Sequence, residues 1–195
     1  MREPEAVTLR GPRVRLEPLG PAHAQGLYLL GQYAPDWAWL PRGCFLDVAD
    51  TRQWIDEALN RPDQLPFVLL DQRKGRTLGS TRYLNIYIEH CRLEIGWTWL
   101  GREWQGTGVN TEAKYLLLRH AFERLGCRRV EFKTDARNQR SQAALEKLGA
   151  VREGILRKHM VAQGGEPRDS VYFSIVDDEW PALKARLAAG LGVVD

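Results

Sequence analysis

Apolar and polar positions alternate with a period of two through residues 13–19, where Val14 and Leu16 sit between Arg13, Arg15 and Glu17. That is the pattern of a half-buried strand, and Pro18 and Pro21 end it. The spacing then lengthens, and Leu27, Leu30 and Tyr28 mark the buried side of a helix over 22–32. Residues 33–43 keep no period and hold Pro35, Pro41, Trp37 and Trp39, which predicts a loop. A second helix over 50–60 carries Trp54, Ile55, Ala58 and Leu59 on one face, with Pro62 past its end. Strands over 66–71, 78–87 and 91–100 follow, joined by turns at 73–76 and 89–90 as an antiparallel meander. The helical period returns over 112–125 through Ala113, Leu116, Leu117, Ala121 and Leu125. A strand over 128–135 comes next, then a short helix over 141–148 closed by Gly149. Strands over 151–156 and 170–176 flank a loop at 163–167, and a helix over 179–189 follows them.

This succession predicts an α+β fold: one domain over residues 1–195, with a mixed, mostly antiparallel sheet of about seven strands and helices on both faces. Its length allows a sizeable core. The composition, 44% hydrophobic and 27% charged, is that of an ordinary globular chain. A net charge of +3 is mildly basic, but the arginines are scattered rather than blocked, which argues against nucleic acid as the partner. A basic cleft for an acidic cofactor accounts for the charge equally well. Cys44, Cys91 and Cys127 are widely spaced and form no CxxC pair, so neither a disulfide framework nor a metal site is expected. The chain has no apolar run of membrane-spanning length and no signal-peptide core, so no membrane contact is expected and the cytoplasm is the expected compartment.

Candidate chemistry centres on Gln105, Gly106, Thr107, Gly108, Val109, Asn110 and Thr111, a glycine-rich turn between a strand and a helix. Its glycines permit positive φ, and its amides, with the helix dipole behind them, suit a phosphate or pyrophosphate. It is not a P-loop, because no Lys-Ser/Thr pair follows Gly106. It is not a dinucleotide fingerprint either, because Thr111 stands where the third glycine belongs. A plain strand-to-helix turn is the alternative.

Gln105-x-x-Gly108-x-Asn110 resembles the acyl-CoA pyrophosphate loop of the GNAT N-acetyltransferase superfamily, with Asn110 where that family usually has Gly or Ala. Glu94 to Trp97, Trp104 to Gly108, Thr111 to Ala113, Asn138 to Ser141, Leu148 to Ala150 and Arg152 to Arg157 match, in order, the ribosomal-protein-alanine N-terminal acetyltransferase (RimJ/RimL-like) branch. The resemblance covers roughly residues 10–180. It implies a GNAT-like domain in which the strands over 91–100 and 128–135 splay apart to admit pantetheine. It implies acetyl-CoA as cosubstrate, an amine as acceptor, and direct acetyl transfer without metal; relatives are often homodimers.

The resemblance also assigns residues. Gln105 to Asn110 hold the pyrophosphate, and Thr98, Trp99 and Leu100 grip pantetheine, Trp99 being equally readable as core. Asn138 and Ser141 lie by the sulfur, with Ser141 the proton donor; both also read as helix caps. Glu94 is the candidate base, its alternative a cross-strand pair with an arginine. Glu112, opening the helix, reads as structural. Trp37 and Trp39 form either an acceptor wall or a lid on the core. His120 and His159 have no partners that would make a Ser-His-Asp triad. A protein N-terminal α-amine is the leading acceptor, since its pKa of about 7.7–8.0 leaves about a tenth neutral at pH 7, against far less for lysine at about 10.4. Small amines, another acyl-CoA, or a CoA- or nucleic-acid-binding module without turnover remain the alternatives.

Overall fold

The computed structural model describes residues 1–193. Its strands are β1 (Leu9–Arg10), β2 (Val14–Pro18), β3 (Leu65–Asp71), β4 (Thr77–Tyr87), β5 (Arg92–Leu100), β6 (Arg129–Asp135), β7 (Val151–Val161) and β8 (Pro167–Val176). Its α-helices are α1 (Ala24–Leu30), α2 (Val48–Leu59), α3 (Val109–Arg119), α4 (Gln139–Leu148) and α5 (Trp180–Leu191). The strands form one sheet in the order β1-β2-β3-β4-β5-β6-β8-β7. Every neighbouring pair is antiparallel except β5 and β6.

Both faces of this sheet are covered because its inner strands are apolar on both sides. In β3, Phe67 and Leu69 join a core with Leu116 and Leu117 of α3 and Leu183 of α5. Val68 and Leu70, turned to the opposite face by the two-residue pleat, pack with Leu27 of α1 and Trp54 and Ile55 of α2.

The expected elements are present, with shifted ends. The eighth strand, β1, spans two residues at the sheet edge, too short to show a period. β7 and β8 extend past the expected bounds as one hairpin, since β7 is an edge strand and its charged residues face solvent. α2 starts two residues early because Asp47 caps it, its carboxylate accepting the Asp50 N–H at 2.8 Å. α3 starts at Val109 because Gly108, at φ 89°, occupies its N-cap. Beyond Arg119 the helix widens to a π turn, His120–Leu125, closed by Gly126 at φ 74°.

Candidate active site

The sheet opens where its one parallel pair fails. β5 and β6 pair only over Arg92–Glu94 and Arg129–Glu131, then diverge. The cause lies in β5, where the register against β4 jumps between Ser80 and Arg82, leaving one extra residue on β5. Trp97 takes φ 50° at this bulge, a left-handed conformation that bends the strand. A cavity of about 570 Å³ fills the gap. Its walls are Ile95 to Leu100 of β5, Phe132 to Thr134 of β6, Gly106, Asn110 and Lys114 around the start of α3, and Asn138, Arg140 and Ser141 around the start of α4. Asp36, Trp39 and Leu40 close one side.

At one end of the cavity lies the glycine turn. Gly106 and Gly108 have φ of 76° and 89°, and among the described residues no side chain caps α3, so its first amides are open to a ligand. Thr107 Oγ1 donates to the Trp104 carbonyl at 2.6 Å and fixes the turn. Gln105 is a clasp rather than a free ligand. Its Nε2 donates to Asp36 Oδ1 (2.8 Å) and the Leu100 carbonyl (3.0 Å), while its Oε1 accepts from Arg140 (2.6 Å). Beneath the turn, buried Glu112 accepts from the Arg13 and Val14 amides and from Arg13 Nε. Arg13 in turn reaches the Thr107 carbonyl. A Cβ on Gly108 would lie 3.2 Å from the Arg13 guanidinium. Gly108→Ala combines that contact with left-handed backbone strain of about 1–2 kcal/mol. We expect acetyl-CoA affinity to fall about tenfold, as read by calorimetry.

The acid–base candidates are placed unequally. Glu94 is 2% exposed and does not itself line the cavity. Its carboxylate accepts from Asn85 Nδ2 (2.9 Å) and pairs with Lys133 Nζ (3.3 Å), a cross-strand pair with a lysine where the alternative reading places an arginine. Burial raises its pKa, with Lys133 and Asn85 opposing. It stands just behind the wall, for a Cβ on Gly96 would lie 2.9 Å from Glu94 Oε1. Asn138 caps α4, accepting the Ser141 N–H at 3.1 Å, and both residues also line the cavity.

Trp37 and Trp39 separate. Trp37 is 2% exposed, donates from Nε1 to the Gly31 carbonyl, and packs edge-on against Phe45. That excludes it from the acceptor wall; the core-lid reading holds for it. Trp39 lines the cavity with Arg137 over its ring. Trp99 serves both readings, since it packs on Trp37 and lines the cavity. Val109 buries its side chain in the core, leaving its backbone to the turn. The Thr98 hydroxyl bonds that of Thr81 at 2.7 Å. The loop carrying Trp37 and Trp39 meets the β7–β8 turn here, as the Gln163 amide donates to the Trp37 and Leu40 carbonyls.

The sequence reading missed Lys114. It lines the cavity at 8% exposure, and among the described residues its Nζ bonds only Asn110 Oδ1, one turn back at 2.9 Å. Burial lowers its pKa to about 8. The available signal was the unbroken apolar run Tyr115 to Leu118 beside it, which leaves α3 no solvent face there.

Comparison with known proteins places this geometry. The acetyltransferase (GNAT) domain family matches residues 13–151. The YdaF protein of Bacillus subtilis (strain 168), provisionally named a ribosomal N-acetyltransferase, is 34% identical over 110 residues. That match covers 56% of this chain and 59% of that protein, so the chain spans about three fifths of this relative's length. A GCN5-related N-acetyltransferase from Brucella melitensis superposes with a TM-score of 0.92 at 33% identity, covering 96% of this chain and 86% of that one. A provisionally assigned acetyltransferase from T. thermophilus superposes with a TM-score of 0.87 at 40% identity, covering 98% and 99%.

Proposed function

The chain belongs to the GNAT acetyltransferase family, and on that basis we propose that it transfers acetyl from acetyl-CoA to a primary amine, foremost a protein N-terminal α-amine. One observation carries the reading: a gap between parallel strands ending at an uncapped, glycine-led helix N-terminus. The residues fit acyl-CoA. The amides of Gly106 to Asn110 suit a pyrophosphate, and the Thr98–Leu100 edge of β5, left unpaired toward β6, suits the amides of pantetheine. Lys114 adds a positive charge beneath the same loop. Acetyl-CoA supplies the thioester to be attacked.

Around it, the chain's own groups handle the protons. Ser141 Oγ on the wall hands a proton to the sulfur, whose pKa as a thiol is about 8.5. Ser141→Ala is expected to lower kcat about 100-fold or more with acetyl-CoA affinity held within about twofold; an equal loss in both would remove its proton-donor role. Glu94, behind Gly96, takes the amine's proton through an intervening water. Among the described residues the carboxylates at the cavity are engaged, Asp36 with Gln105 and Glu94 with Asn85 and Lys133. Such a site suits an amine that is already partly neutral, which favours an α-amine over lysine. The name of the Bacillus subtilis relative, a ribosomal N-acetyltransferase, supports a protein acceptor.

The test is thiol release from acetyl-CoA across peptides with free Ala, Ser or Met N-termini, the same peptides blocked but carrying lysine, and small amines. Preference for free N-termini is expected. Turnover with small amines alone overturns the protein acceptor, and silence with CoA still bound overturns acetyl transfer.

A further inference from the structure

A second cavity, of about 430 Å³, lies against the acyl-transfer cleft, and Trp97 is a wall of both. It is lined by Trp54, Arg61, Gln64 and Arg82, with Glu57 among its other walls. Arg82 of β4 is 3% exposed, its guanidinium carbon 4.8 Å from the Trp54 ring centroid and 4.4 Å from that of Trp97. Nη1 donates to Gln64 Oε1 at 2.8 Å. Among the described residues Nε has no hydrogen-bond partner, nor does Nε1 of Trp54, a residue that lines the same cavity. Among the described residues, no carboxylate pairs with Arg82; Glu57 acts on it only at longer range, and Arg61 adds a second positive charge. A buried arginine is ordinarily paired, because desolvating its charge is costly. Here the Nε–Nη2 edge, the one that takes a carboxylate through two parallel hydrogen bonds, is left over. Flanking indoles hold the guanidinium flat and keep water from it.

We propose that this cavity binds a carboxylate of the acceptor, held on Arg82 and Arg61, while the acceptor's amine reaches past Trp97 into the cleft. The proposal rests on the acetyl-transfer reading and narrows it to amines that carry a carboxylate a short distance away. A free amino acid offers that chemistry, as does a peptide with an acidic residue near its N-terminus.

Calorimetric titration of the purified protein with succinate and with its uncharged diamide tests binding without requiring turnover. We expect saturable succinate binding, no diamide binding, and at least tenfold weaker succinate binding in Arg82→Met. Arg61→Ala, an exposed change that leaves the fold alone, is expected to weaken succinate about threefold. Acetyl-CoA affinity, measured alongside, should be unchanged in both variants; if acetyl-CoA fails to bind the wild type, the acetyl-transfer reading falls while the carboxylate site is still read. In turnover, KM for free glutamate and for an amidated peptide with Glu at its second position is compared with that of their uncharged glutamine counterparts. A charge preference lost in Arg82→Met supports the proposal, and the preferred arm identifies the source. No succinate saturation, unchanged succinate affinity in both variants, or no charge preference in either arm overturns it.

Discussion

Glu112→Ala is expected to destabilise the protein by about 3–5 kcal/mol, because it leaves two backbone amides without their acceptor, at about 1–3 kcal/mol each, and the half-exposed Arg13 without its partner. In a chain of this size that lowers the melting temperature by roughly 6–20 °C. Glu112 is fully buried, and its two oxygens take three donors from a segment 98 and 99 residues away. Removing the carboxylate strands the Arg13 and Val14 amides at the start of β2, and Arg13 loses the anion that aims it beneath the glycine turn. Gly11 is part of the same fit, for a Cβ there would lie 2.5 Å from Glu112 Oε1. Glu112→Gln keeps one acceptor oxygen for the two amides and is expected to fall between wild type and Glu112→Ala. Arg13→Ala should cost less, because its side chain is half exposed and the two amides stay bonded. Thermal unfolding of the three variants checks the order; a Glu112→Ala loss below about 1 kcal/mol would show that water enters and replaces the carboxylate.

Glu112 also shows what the sequence can and cannot convey. As the residue that opens the helical period it reads as a dipole partner, whereas in the structure it is the fourth residue of α3 and its carboxylate bonds the start of β2. Its real partners are Arg13 and Val14 at the start of β2, about a hundred residues earlier, and no local pattern encodes a contact at that separation. The meander from β3 to β5, the glycine turn and α3 were legible because each is written in short-range periods and turn residues. The splay of β5 from β6 came only through the family resemblance, since the bulge at Trp97 sits in a run that reads as an unbroken strand. Trp37 and Trp39 are two residues apart in a segment without period. Their different fates depend on Gly31, Phe45 and Trp99 closing around one of them. Arg82 reads as an ordinary strand residue, and only the assembled α2 and β5 remove water and counter-charge from around it.

Lys114→Met should make the ligand-free protein more stable and a poorer binder of acetyl-CoA. Burial takes the lysine from its ordinary 10.5 to about 8, and at about 1.4 kcal/mol per pH unit this costs the fold roughly 3 kcal/mol at neutral pH. Methionine fills similar space without the charge, so most of that cost is recovered. The sign with pH follows from linkage. Below about pH 8 both folded and unfolded chains carry the proton, and the cost is complete. Between about 8 and 10.5 the folded chain has released it while the unfolded chain keeps it, so wild-type stability gains on the variant as pH rises. The melting-temperature gap between variant and wild type should therefore be widest near pH 7 and close towards pH 10. Binding moves oppositely. An anionic ligand near Asn110 favours charged Lys114, so wild-type affinity for acetyl-CoA should be flat below pH 8 and decline above it, by up to tenfold per pH unit. In Lys114→Met the affinity should be lower throughout and lack this decline. A variant that is more stable but binds acetyl-CoA as tightly as wild type, with the same pH profile, would place Lys114 outside the donor site. A variant with both expected changes would explain why a charge this costly to bury lies in the wall of the cleft: the ligand supplies the negative charge that the fold does not.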